Sequence, residues 1–228
     1  ISIDYPGVEV VSITKVENAN YLFVDLNLAR DLKPGKFNIQ FKSKNKTVAN
    51  YTYELLEREA NSARREGFNS SDVICLITPY RFVNGDPGND ELKGMKEGLD
   101  RSYNYGRHGG DLRGIINALD YLQDLGYTAV WLNPVLENNM PESSYHGYAC
   151  TDFYKVDARY GSNAEYVELK KELDKRGMKL IMDLIFNHCG SEHWWMHDMP
   201  MKGWINNYPD YKITNHRRTI NQDPHASE

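Results

Sequence analysis

Two rhythms of apolar and polar residues divide the chain. From residue 1 to about 56 the period is two. Leu22, Val24, Leu26 and Leu28 alternate with Phe23, Asp25 and Asn27, which marks a strand with one buried face. Residues 36–41 (Lys-Phe-Asn-Ile-Gln-Phe) alternate again, preceded by the turn signal Lys33-Pro34-Gly35. Residues 12–16 and 49–53 predict further short strands. Residues 1–56 therefore read as an N-terminal β-sandwich, immunoglobulin-like and incomplete. The core is thin for a free-standing domain, so strands are expected upstream.

Residues 57–71 are polar with little apolar content and read as a linker. From residue 72 the rhythm becomes strand, loop, helix. Residues 73–77 are a short apolar run, and Leu112, Ile115, Ile116, Leu119 and Leu122 then share one face of a helix that Gly126 stops. Residues 129–132 are the next strand. Ser162 and Glu165 form a capping box for a helix carrying Leu169 and Leu173, ended by Gly177. Residues 179–185 are a third strand. Such alternation implies right-handed βαβ crossovers and a parallel sheet. No glycine-rich turn joins a strand directly to a helix, which counts against a doubly wound nucleotide-binding sheet. Long loops follow each strand instead, at 78–110, 133–161 and 186 onward, and loops of that length are usually functional. Residues 72–228 are thus read as the first three βα units of a truncated TIM (β/α)₈ barrel, with the start of an insertion after the third strand.

Composition removes several function classes. A net charge of −5 without a basic run argues against binding nucleic acid through its phosphates. No apolar run approaches the ~18 residues of a membrane span. The first residue is Ile, read as a processed or truncated start, which leaves the periplasm and the cytoplasm both open. The odd number of cysteines, Cys75, Cys150 and Cys189, argues against a disulfide framework, with a Cys150–Cys189 contact left open. A tyrosine-rich β domain and an ordinary core account for most of the sixteen tyrosines, and an excess of flat rings in loops also suits the apolar faces of sugars.

Candidate chemistry gathers where the strands end. Asp183-Leu-Ile-Phe-Asn187-His188 places a carboxylate, an amide and an imidazole at the end of the third strand, and barrel active sites lie at such ends. Hydrogen bonds within a loop are the plainer alternative. Asn84, Asp86, Asn89 and Asp90, followed by Gly109 and Asp111, supply the oxygens that Ca²⁺ prefers, although Asn-Gly and Asp-Pro-Gly also simply form turns. Tyr145-His146-Gly147-Tyr148 offers a sugar platform with a hydroxyl donor, or a loop packed by its own tyrosines.

Taken in order, Asn84-Gly-Asp-Pro, Gly109-Gly-Asp-Leu, Trp131-Leu-Asn-Pro, His146-Gly-Tyr, Asp152-Phe-Tyr and Asp183 to His188 resemble the α-amylase family, glycoside hydrolase family 13. The stretch from Tyr145 to Trp195 is most similar to its cyclomaltodextrinase and neopullulanase branch. The resemblance implies retaining hydrolysis of α-1,4-glucosidic bonds in cyclodextrins, maltooligosaccharides or pullulan. It implies that His188 binds hydroxyls of the sugar beside the scissile bond, that Tyr148 stacks beneath that sugar with His146 alongside, and that Asp183 orients an arginine. Asn187 is then structural or near the metal. Asn84, Asp86, Asn89, Asp90, Gly109 (through its carbonyl) and Asp111 match the branch's calcium site, which pins the first loop. The partner is an α-glucan oligosaccharide, and dimerisation through the N-terminal domain is expected.

Two departures stand out. The branch's nucleophile and acid motifs, on its fourth and fifth strands, do not occur here, so no residue of this segment is expected to be catalytic and the chain alone is expected to be inactive. Tyr80-Arg81-Phe82 replaces the branch's Asp-Arg-Phe. The competing readings are a non-catalytic amylase-like binding or scaffold protein, and an unrelated barrel hydrolase. Retention of His146, Tyr148, Asp183 and His188 favours the enzyme.

Overall fold

The computed structural model describes residues 1–206 and separates into two units. The domain ending at residue 228 therefore extends beyond the described residues. Among the described residues the first unit comprises Ile1–Ser62 and residues 198–206; the second is Ala63–His197.

In the first unit β1 (Ser2–Ile3), β4 (Gly35–Ser43) and β5 (Lys46–Leu55) form one antiparallel sheet, and β2 (Val8–Lys15) and β3 (Leu22–Leu28) form another. Lys44 and Asn45, both at positive φ, make the two-residue turn that keeps β4 and β5 paired along their length. The alternation in β4 buries Phe37 and Ile39, which meet Val8 of β2 in a core joined by Leu26 of β3. The alternation read for β3 holds only in part, because Leu22 and Leu28 are exposed. Its other face is used as well, Phe23 stacking on Trp204 at 5.8 Å. The segment after Asp198 packs there, held by the Asn18 N–H on the Pro200 carbonyl (3.0 Å) and by Asn18 Nδ2 on the Met199 carbonyl (2.9 Å).

Residues 57–71 contain one 3₁₀ turn, Ser62–Arg64, and otherwise no helix or strand. The second unit then runs β6 (Ile74–Ile77), α1 (Leu112–Asn117), α2 (Leu119–Asp124), β7 (Ala129–Leu132), β8 (Leu136–Glu137), β9 (Asp152–Val156), α3 (Asn163–Lys175), β10 (Lys179–Met182) and α4 (Trp194–His197). β6, β7 and β10 pair in parallel, with β7 in the middle, so spatial order follows chain order. Leu112, Ile115, Leu119 and Leu122 from α1–α2 and Leu169 and Leu173 from α3 share one core with Ile77, Val130 and Leu132. Both crossovers therefore cover the same face of the sheet. On the opposite face lies the register row Leu76, Trp131 and Ile181, in which Leu76 is 58% exposed.

Three expectations are corrected in detail. The single helix is two short ones, because Ala118 at φ −100°, ψ 4° turns its N–H to the Ile115 carbonyl three residues back, tightening the turn. The third strand pairs only through Met182, since β7 offers no partner beyond Leu132, so Asp183 is the first residue past the sheet rather than inside the strand. The second long loop carries its own antiparallel pair, β8 with β9. Ser162 does cap α3, accepting the Glu165 N–H at 3.2 Å. The three cysteines are free thiols, and no helix among the described residues is long and apolar enough to cross a membrane.

Candidate active site

Asp183 leaves β10 beside the end of β7, and its position decides what meets there. Its Oδ2 accepts the Tyr148 hydroxyl at 2.9 Å and the indole Nε1–H of Trp131 at 3.3 Å. Five residues on, His188 Nε2 lies 2.9 Å from the Tyr148 carbonyl. A carbonyl only accepts, so Nε2 carries the proton and Nδ1 is free to accept the Asn187 amide N–H, 3.2 Å away. The second and third loops are thereby tied through Tyr148 at both its hydroxyl and its backbone.

The local fold places Tyr148. Ser143 sits at φ +58°, and Ser144–His146 forms a 3₁₀ turn closed by Gly147 at φ +81°. A Cβ at Gly147 would stand 2.2 Å from the Pro134 carbonyl oxygen, so only glycine lets the chain pass β7's exit. Glu97 holds this turn from the first loop, its two oxygens accepting the N–H groups of Ser143 (3.0 Å) and Ser144 (2.6 Å). His146 Nδ1 accepts the Tyr148 N–H at 2.9 Å, and the two rings lie near-parallel, 6.0 Å apart. Burial lowers the His146 pKa, against the pull of Glu97, and nearby His188 lowers it further. A neutral imidazole fits its role as acceptor. Tyr148 is raised by burial and by Asp183, so its hydroxyl keeps the proton it donates.

The expected metal residues fall into two contacting groups, Asn84 with Asp90 and Gly109, and Asp111 with Asp86 and Asn89. Asn84 Nδ2 donates to both oxygens of Asp90 (2.9 and 2.8 Å), and a Cβ on Gly109 would stand 2.5 Å from Asp90 Oδ1 and 2.6 Å from Asn84 Nδ2. Asn84 Oδ1 and Asn89 Oδ1 are buried without a hydrogen-bond partner. Asp111 has other work. Its fully buried carboxylate caps α1 through the Gly114 N–H and accepts the N–H groups of Gly85 and Asp86 and the Asn89 amide. Asp86 accepts the Gly88 N–H at 3.0 Å. Among the described residues no group of three His, Cys, Asp or Glu side chains could hold a metal ion, so a cation here would need amide and carbonyl oxygens as well. Two buried amide oxygens without partners, in a segment that also carries the Asp90 carboxylate, suit a hard, oxygen-seeking cation.

Reading the sequence missed three contributors. Trp131 was visible in a motif but had no role until Asp183 reached it. Asp157 and Arg159 form a buried ion pair, Arg159 Nη2 to Asp157 Oδ2 at 2.7 Å, that also involves Arg107 at 3.9 Å. Arg107 Nη1 donates to Ser144 Oγ and Arg159 Nη1 to the Glu97 carbonyl, so this network backs the turn beneath His146 and Tyr148. Charged residues set between apolar Val156 and Tyr160 were a usable signal; Glu97 gave none. Trp194 and Trp195 pack around His193, with centroids at 3.9 and 4.4 Å.

Residues 76–228 match the family described as alpha amylase, catalytic domain, and residues 1–59 match cyclomaltodextrinase, N-terminal. The chain is 36% identical over 142 residues to neopullulanase 2 of Thermoactinomyces vulgaris, covering 61% of this chain and 23% of that protein. It is 35% identical over 148 residues to the cyclomaltodextrinase of Thermoanaerobacter pseudethanolicus, covering 63% and 24%. Among solved structures, a cyclic α-maltosyl-(1→6)-maltose hydrolase from Arthrobacter globiformis in complex with maltose superposes with a TM-score of 0.50 at 28% identity, over 63% of this chain and 36% of that one. A cyclomaltodextrin glucanotransferase with a three-domain ABC distribution gives 0.50 at 32% identity, over 52% and 26%. The chain thus spans about a quarter of the length of these two curated relatives, at 23% and 24%. The chain belongs to the α-amylase family, a cyclomaltodextrinase-type N-terminal domain followed by part of the catalytic domain.

Proposed function

We propose that this chain is the glucan-gripping part of a retaining glycoside hydrolase acting on α-1,4-glucosidic bonds of cyclodextrins, maltooligosaccharides or pullulan. The observation that carries the reading is the convergence of Asp183, Tyr148 and His188 at the C-terminal end of β10, with Tyr148 bonded to both partners. Tyr148 presents a ring to one glucose, and His188 and His146 flank it with polar atoms for hydroxyls. To bind a hydroxyl, His188 exchanges one of its present partners, Tyr148 or Asn187. Asp183 takes up its present donors through Oδ2, which reserves Oδ1 for an arginine. These groups hold and orient the ring; a nucleophile and an acid about 5–5.5 Å apart, from sequence outside this chain, break the bond with retention. The chain alone is then inactive.

A closed barrel is part of the same proposal. Sequential parallel strands with both crossovers on one face wind in one direction only, as a barrel requires, and a doubly wound sheet places helices on both faces. The bare row Leu76, Trp131 and Ile181 becomes the barrel interior once further strands arrive. Ca²⁺ is proposed to sit among Asn84, Asn89, Asp90 and the Gly109 carbonyl, with Asp86 and Asp111 shaping or completing the cradle. The ion supplies charge that ties the first loop and takes no part in bond-breaking. Chelation of the intact protein is expected to lower its melting temperature and added Ca²⁺ to restore it; an unchanged melt would remove the metal.

The function is tested by incubating the intact protein with β-cyclodextrin, maltoheptaose and pullulan and following the anomeric protons of the first product. The α-anomer is expected at the start. An initial β-anomer contradicts retention, and binding without cleavage of any of the three supports the scaffold instead.

A further inference from the structure

Tyr103 and Tyr105 have no part in the roles described so far, yet their setting is built. Both are about half exposed, at 49% and 54%, on a turn held at several points. Asp100 accepts the N–H groups of Ser102 (2.9 Å) and Tyr103 (3.2 Å), and the Gly106 N–H meets the Tyr103 carbonyl at 3.0 Å. Arg81 donates to the carbonyls of Asn104 and Gly106 while its guanidinium lies over the rings of Tyr80 and Tyr145, 4.9 and 5.3 Å from their centroids. Tyr80, the departure in Tyr80-Arg81-Phe82, completes this clamp, its hydroxyl accepting from Arg81 Nε at 2.6 Å.

From this turn the rings run without a break to the site. Tyr103 meets Tyr105 at 5.7 Å, Tyr105 meets Tyr145 at 6.1 Å, Tyr145 meets His146 at 5.4 Å and His146 meets Tyr148 at 6.0 Å. A ring on a tethered turn has surrendered its freedom on folding, so little ordering remains to oppose binding. A protein partner would be expected to bury aliphatic anchors too; within residues 100–106 the exposed large hydrophobics are Tyr103 and Tyr105, and flat rings suit repeated sugar faces.

We propose that Tyr103 and Tyr105 form an outer platform for an α-1,4-linked glucan, receiving glucose residues further along the chain than the one over Tyr148. This rests on the glucan reading above, and it makes the protein selective for longer chains. The test uses the intact protein and the ratio of kcat/KM on maltoheptaose to that on maltotriose. Replacing both residues (Tyr103→Ala with Tyr105→Ala) is expected to lower that ratio about tenfold, the equivalent of one or two lost stacking contacts. The pair Tyr103→Phe with Tyr105→Phe retains it, because the ring and not the hydroxyl stacks. Any loss of folded protein lowers both terms and cancels. A ratio within about twofold of the unaltered protein in the alanine variant overturns the platform while leaving the glucan reading standing. An unaltered protein that cleaves neither sugar overturns both.

Discussion

Asp183→Ala in the intact protein is expected to lower kcat/KM on maltooligosaccharides by about a hundredfold, the scale on which a misplacement near 1 Å costs rate. The carboxylate is the point on which Tyr148 and Trp131 both close, at 2.9 and 3.3 Å. Without it the phenol loses its acceptor and the ring swings on a turn already strained at Ser143. The loss should fall mainly on kcat, because the sugar still binds but off its productive position. Asp183→Asn retains an oxygen able to accept the same donors, so it should recover the placement of Tyr148 but not the negative charge proposed to hold an arginine. Steady-state kinetics of the two variants separate these roles. A fall of less than about tenfold for the alanine variant would exclude Asp183 from the working site.

Asp157→Ala is expected to cost about 3–5 kcal/mol of folding stability, the largest single effect in the second unit. Asp157 is fully buried and accepts from Arg159 Nε (2.9 Å), Arg159 Nη2 (2.7 Å) and the Asn138 N–H (3.0 Å), with Arg107 3.9 Å away. Its removal leaves two buried guanidinium groups without the carboxylate they share. Denaturant unfolding measures the loss, and a cost under about 1 kcal/mol would mean that water or another acid reaches the arginines. Acid provides a second check. Burial by itself raises the Asp157 pKa, but the Arg159 hydrogen bond and the two arginine charges outweigh it and hold the carboxyl below its usual range. A carboxyl depressed on folding contributes stability above its unfolded value, near pH 4, and loses it as pH falls through the folded value. The drop in melting temperature between pH 5 and pH 2.5 should therefore be smaller in Asp157→Asn than in the unaltered protein.

Much of this molecule was legible because its periods are strong. The alternation at residues 36–41 buried Phe37 and Ile39, and the helical spacing of Leu112, Ile115, Leu119 and Leu122 put all four in one core. Where both faces of a strand found neighbours the pattern misled. Leu22 and Leu28 looked like core residues, but Phe23 on the other side of β3 found Trp204 instead. Strand length was misjudged because Leu184 and Ile185 are as apolar as the strand itself, and only the end of β7 shows where pairing stops. Six ordered motifs pointed to the family, while Glu97 was silent, and Trp131 and the charged pair Asp157 and Arg159 were visible without a role.

The sequence by itself determined the main element types, their order and the polar and aromatic residues that gather where the strands end, since these follow from local period, turn chemistry and side-chain type. Tertiary structure alone decided which of them meet. Asp183 and Tyr148 lie 35 residues apart in the chain, and Glu97 and Ser144 lie 47 apart. Their contacts depend on how parallel strands register and how far each loop reaches back, and no local pattern encodes a distance between two loops.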